Sequence, residues 1–182
     1  DMVRSCDEPM VEQILRRFGF TEDDLKNIDS TPKIYFTNEE VEKLEGVINS
    51  IVGDREFGCL LFASRLDDLV ENCGKYDHLL LKEAEPYKNH LVFFFSENSL
   101  ENTKWAEFFP ERYDFASLDL TIREQIYVKR RALFNISYQA GITDACSGGS
   151  SKVITLCPYT TIHECVIKNT RYVYFDGSVK QF

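Results

Sequence analysis

The chain has 182 residues, a formal net charge of −9 and a sequence pI near 4.9. That length favours one domain burying roughly two thirds of its unfolded surface, and 14 Phe and 9 Tyr supply the material for a large core. The acidic balance argues against a general nucleic-acid binder, and no apolar run approaches the roughly eighteen residues of a membrane-crossing helix.

The opening "DMVRSCDEPM" lacks the apolar centre of a signal peptide. Next, "DEPMVEQILRRFGF" reads as a short helix, with Asp7 as cap, Pro9 in the first turn, an apolar stripe of Val11, Ile14, Leu15 and Phe18, and Gly19 as terminator. The polar, acidic "TEDDLKNIDSTP" reads as a linker, so residues 1–31 form an N-terminal helix and linker and 32–182 the main domain. "KIYF" (33–36) is strand-like. "TNEEVEKLEGVINSIVGD" predicts a helix over 38–52, capped by Asn, acidic in its first turn and ended by Gly53.

"FGCLLF" (57–62) reads as a short apolar strand and "SRLDDLVENCG" as a short helix. "HLVFFF" (90–95) is apolar without alternation, the pattern of a central strand buried on both faces. Trp105, Phe108 and Phe109 anchor the loop-rich connection that follows. "LDLTIREQIYVKRRALFNISYQAG" predicts the longest helix, over 118–140, and strands follow at 152–157, 162–168 and 171–175. The class expected is α+β, with helices packed on one face of a mainly antiparallel sheet.

Three chemistries compete for the C-terminal quarter. Cys146, Cys157, His163 and Cys165 lack the close ligand pairs of structural zinc sites, although His163 and Cys165 share a strand face. A Cys/His nucleophile pair needs a thiolate and imidazole in hydrogen-bond reach, which six scattered cysteines and three histidines do not specify. Irregular cysteine spacing points to a reducing compartment and not to a disulfide framework. "CSGGSSK" lacks the context of a phosphate-binding loop, and "SGGSS" has the composition of a flexible linker, natural or engineered. The sequon Asn135-Ile136-Ser137 falls within the helix pattern. No catalytic, metal or cofactor-binding residue is therefore expected.

The long helix carries two stripes. Ile122, Ile126, Leu133, Ile136 and Ala140 form an apolar one. Arg123, Tyr127, Arg130, Arg131, Phe134 and Tyr138 form a second, of residue types enriched at interface hot spots. The alternative is a core helix whose rings fill a second layer while its arginines extend to solvent.

Four stretches in order resemble the HORMA-domain family: "TPKIYFTNEEVEKLEGVINSIVGDREFGCLLFASRLDDLV", "HLVFFFSENSLENTKWAEFFPERYDF", "IREQIYVKRRALFNISYQA" and "SKVITLCPYTTIHECVIKNTRYVYFDGSVKQF". The resemblance covers roughly residues 32–182 and implies a terminal safety-belt β-hairpin. It also implies a non-enzymatic adaptor that pairs, through its last long helix, with a closed Mad-type HORMA protein of the spindle checkpoint. Such an adaptor presents its partner to the pachytene-checkpoint AAA+ ATPase in the nucleus, the cytoplasm and at kinetochores, and meiotic HORMA proteins are handled similarly. No nucleic acid, membrane or cofactor is implied. The family's basic loop before the terminal strands is here "CSGGSSK", leaving Lys152 as the one possible ATPase contact. Separately, "FFFSENSLENTKW" resembles the Toll/interleukin-receptor signalling domains, which implies a parallel sheet.

Overall fold

A computed structural model describes residues 10–28, 33–62, 67–95, 103–115, 118–138, 151–157 and 170–181. The elements in chain order are α1 (Met10–Arg17), α2 (Glu22–Lys26), α3 (Asn38–Val52), β1 (Phe57–Leu61), α4 (Asp67–Ala84), β2 (Leu91–Phe95), α5 (Lys104–Phe108), β3 (Arg112–Asp114), α6 (Ile122–Arg131), β4 (Phe134–Tyr138), β5 (Lys152–Cys157), β6 (Thr170–Tyr174) and β7 (Val179–Gln181). A single 3-10 turn at Glu85–Tyr87 ends α4.

The seven strands form one sheet in the order β3-β2-β1-β4-β5-β6-β7. Every pairing is parallel except β6 with β7. The class is the mixed helix-and-sheet one expected, but the antiparallel expectation is corrected. The connections explain the direction. β1 to β2 runs through α4, β2 to β3 through α5 and β3 to β4 through α6, so each strand re-enters the sheet from the same end, as helical crossovers require. The unalternating Leu91–Phe95 run, buried throughout, is the signature of a parallel strand covered on both faces.

The helices lie on both faces, not on one. Leu80 and Ala84 of α4 and Trp105 of α5, with Phe109 beyond it, pack on Leu60, Val92, Phe94, Phe134 and Ile136. Leu44, Ile48 and Val52 of α3 and Val128 of α6 pack on Phe57, Cys59, Phe93, Phe95 and Phe115 from the other side. Strand alternation sends successive side chains to opposite helical layers.

Four further expectations change. The helix predicted over 118–140 ends at Arg131. Ala132 turns extended (ψ 150), and the alternation of Phe134, Ile136 and Tyr138 with Asn135 and Ser137 continues as β4, all five buried. A helical period fits the same residues by coincidence, because no Gly or Pro marks the change. The hairpin is β6–β7, turned at Gly177 (φ 83) with Asp176 Oδ1 accepting from the Ser178 amide at 2.8 Å. β5 and β6 pair in parallel, and the strand expected at 162–168 lies outside the described residues. The "linker" contains α2, fixed by a capping box in which Thr21 and Asp24 satisfy each other's backbone amides. Residues 33–36 pair with no strand of the sheet.

Other readings hold. α3 spans the expected residues and stops at Gly53, whose φ of 60 suits glycine, although its cap is Thr37 and not Asn38. Trp105 and Phe109 are buried. Asn135 is buried too, its Nδ2 donating to the Lys129 carbonyl (2.8 Å) and to Ser151 Oγ (2.5 Å). The sequon therefore presents no surface amide.

Candidate functional site

α3 and α6 lie against one another, and their first turns are interlocked. Thr37 caps α3 and Thr121 caps α6, each with a glutamate three residues later completing a capping box. Glu40 accepts from the Thr37 amide at 2.7 Å and also from Arg123 Nε of α6 at 2.7 Å. Glu124 accepts from the Thr121 amide at 2.8 Å and also from Lys43 Nζ of α3 at 2.5 Å. Each capping glutamate therefore serves its own helix and clamps the other. Both carboxyls are held at about 2, below their ordinary 4.5, first by the cation's hydrogen bond and then by the backbone amide.

This clamp accounts for half of the stripe expected to bind a partner. Arg123 bonds to Glu40, donates to the Tyr35 carbonyl and lies 4.9 Å over the Phe36 ring. Tyr127 donates to Glu45 Oε1 at 2.7 Å and meets Phe36 edge-on at 5.0 Å. Burial and that acidic partner push its phenol up to about 12. Arg131 reaches the same Glu45 at 3.2 Å, and Arg130 is half-buried. Phe134 and Tyr138 are on β4 and buried, not on an outward helical face. Lys152 is exposed at the first position of β5.

The structure opens a different surface at the same place. Tyr35 is 78% exposed and Ile122 is 68% exposed, and the side chain of Arg123, the neighbour of Ile122, donates to the Tyr35 carbonyl. The helical period places Ile122 in the core stripe. It is the first residue after the Thr121 cap, where a side chain projects past the end of the packed layer, and that position was the available signal. Tyr35 was concealed by its strand-like neighbours. Ile14, Phe18 and Phe20 around α1 are also exposed.

A second cluster stands where β1 and β4 end. Phe62, just past β1, lies 4.8 Å from Trp105 and 4.8 Å from Tyr138, the last residue of β4. Tyr138 donates to Asp77 Oδ1 of α4 at 2.6 Å, with both residues buried.

Of the proposed metal ligands, Cys157 is buried at the end of β5, whereas Cys146, His163 and Cys165 lie outside the described residues, as does residue 140 of the apolar stripe. Among the described residues no group of three His, Cys, Asp or Glu could hold a metal ion, and no helix is long and apolar enough to cross a membrane. No family model, no curated protein and no solved structure matches this chain.

Proposed function

We propose that the chain is a protein-interaction domain that engages its partner through the first turn of α6 and the extended segment before α3. The observation that carries this reading is the exposure of Tyr35 and Ile122 beside Arg123, on a base held rigid by the reciprocal glutamate clamp. Large apolar side chains next to an arginine on a fixed frame are what interface anchors consist of.

Both resemblances lead to an interaction module. The HORMA reading supplies the partner to test first, a closed Mad-type protein together with the pachytene-checkpoint AAA+ ATPase, with meiotic HORMA proteins as further candidates. The parallel sheet sits closer to the Toll/interleukin-receptor reading, and in that case the partner is another signalling domain. Within the stripe first assigned to binding, Arg123 keeps a place at the surface. Tyr127 and Arg131, both bonded to Glu45, lie behind it, Arg130 is half-buried, and Phe134 and Tyr138 belong to the core.

The test is a pull-down from dividing-cell extract with the wild type, Ile122→Glu and Tyr35→Ala. Recovery of a Mad-type protein and the ATPase, lost in both variants while thermal unfolding is unchanged, supports the adaptor reading. Recovery that neither variant disturbs removes this surface from the function.

A further inference from the structure

We propose that β3 is a self-association edge, through which two copies of this chain pair antiparallel about a two-fold axis into a reversible dimer with one continuous sheet. β3 ends the sheet, and Arg112, Tyr113 and Asp114 are all exposed. On its inner side the Glu111 carbonyl accepts from the Val92 amide at 3.0 Å, and the Phe115 amide donates to the Phe94 carbonyl at 2.9 Å. Main-chain groups alternate in direction along a strand. Those of residues 111, 113 and 115 therefore turn to β2, and those of Arg112 and Asp114 turn to the open margin.

That margin is complementary to itself. In an antiparallel pair centred on Tyr113, Arg112 lies opposite Asp114 of the second copy, and Asp114 lies opposite Arg112 of the second copy. Each such couple exchanges amide-to-carbonyl hydrogen bonds in both directions, and opposite charges facing across strands stabilise the pairing. Centring the pair on Arg112 or on Asp114 instead sets like charges face to face, so one register is selected. Arg112 is turned to the α5 side, where it donates to the Ala106 carbonyl at 3.3 Å. Tyr113 is turned to the other, where its ring meets Phe93 at 6.1 Å and Phe115 at 6.0 Å. Phe93 in turn stacks on Phe57 of β1 at 4.4 Å. An aromatic row thus crosses β1 and β2 and ends at the margin on a ring that is 36% exposed. In the dimer the two Tyr113 side chains meet at the axis, where facing residues come closest, and the row runs on into the second copy.

Pairing uses up both β3 edges, so assembly through them closes at two. Three residues per chain bury less than the roughly 1,200–2,000 Å² of a stable complex, which makes the dimer reversible, with a Kd on the order of 100 μM. Sedimentation equilibrium of the full chain, over about 10 μM to 1 mM in about 0.15 M salt, is expected to show a monomer–dimer equilibrium. Arg112→Glu and Asp114→Arg each set like charges opposite one another and should each weaken the dimer about tenfold. An equimolar mixture of the two variants restores opposite charges at both positions and should recover a dimer, now a mixed one. The double variant Arg112→Glu/Asp114→Arg should dimerise by itself, and either recovery excludes misfolding as the cause of the loss. Tyr113→Cys sets two thiols at the axis and should give an oxidant-dependent covalent dimer beyond any that the wild type forms. A chain that stays monomeric throughout that range overturns the proposal. So does a dimer that both charge variants leave intact, or one that neither the mixture nor the double variant restores, or a Tyr113→Cys chain that does not cross-link.

Discussion

The two faces of the sheet solve the same packing problem with different materials. Under α4 and α5, the buried inward residues from β2 to β6 are apolar, and Phe134 lies between Tyr87 at 4.3 Å and the backbone of Gly58. On the α3–α6 side the apolar packing covers β1 and β2. From β4 onward Asn135, Ser137, Thr155 and Thr170 are buried on this side, beside Val153, Cys157, Tyr172 and Tyr174. β4 therefore carries three apolar residues for one layer and two hydrogen-bonding residues for the other. The difference teaches that burial and apolarity are separate requirements: one face is specified by shape, the other in part by buried polar groups such as Asn135.

The shape-specified face should break most severely. A Cβ on Gly58 would overlap the Phe134 ring, so Gly58→Ala should cost about 3 kcal/mol through overpacking, read as a lower urea midpoint. Phe134→Ala should cost about 3–5 kcal/mol by leaving a cavity. The two costs should be non-additive, because Phe134→Ala makes room for the new methyl group. Additive losses would mean that the ring is not what excludes a side chain at position 58.

The polar face should respond less. Asn135→Leu removes the bonds to the Lys129 carbonyl and to Ser151 Oγ, leaving both acceptors buried, and should cost about 1–3 kcal/mol. Asn135→Asp, which keeps the shape but loses the donor, should also destabilise. A neutral Asn135→Leu would show that polarity on this face is tolerated and not required.

The smallest effect is the acid dependence of the α3–α6 clamp. Glu40 and Glu124 have folded values near 2, below the ordinary 4.5. Their contribution is therefore complete above about pH 4.5 and is lost as pH falls towards 2. Exposure of Arg123 and Lys43 keeps the effect modest and salt-sensitive. The double variant Glu40→Gln/Glu124→Gln should flatten the acid limb of the stability curve within that window. An unaltered limb would assign acid sensitivity to other carboxylates.

The same contrast explains what the sequence disclosed. α3 was readable because its acidic first turn, apolar stripe and Gly53 are local signals. β2 was readable because five apolar residues in a row can hardly be anything else. Strand direction is not local, since it depends on where a crossover lands. The end of α6 escaped because Leu133, Ile136 and residue 140 match a helical period while Phe134, Ile136 and Tyr138 match a strand period, and only tertiary packing decides between them. The surface residues Tyr35 and Ile122 carry no composition signal at all. Trp105 was expected to be buried, but an indole N–H left without an acceptor is visible only once its neighbours are placed.

The sheet's two margins have a consequence for behaviour in concentrated solution. β3 and β7 are three residues each, whereas the strands between them have five or six. Arg112, Tyr113 and Asp114 are all exposed along the first margin, and Lys180 stands in the second. Outside the two-fold register of β3, a strand arriving from another molecule finds too short a ladder to nucleate on, and charged side chains beside it. Short, charged margins of this kind keep a hydrophobic parallel sheet from growing edge to edge into aggregates.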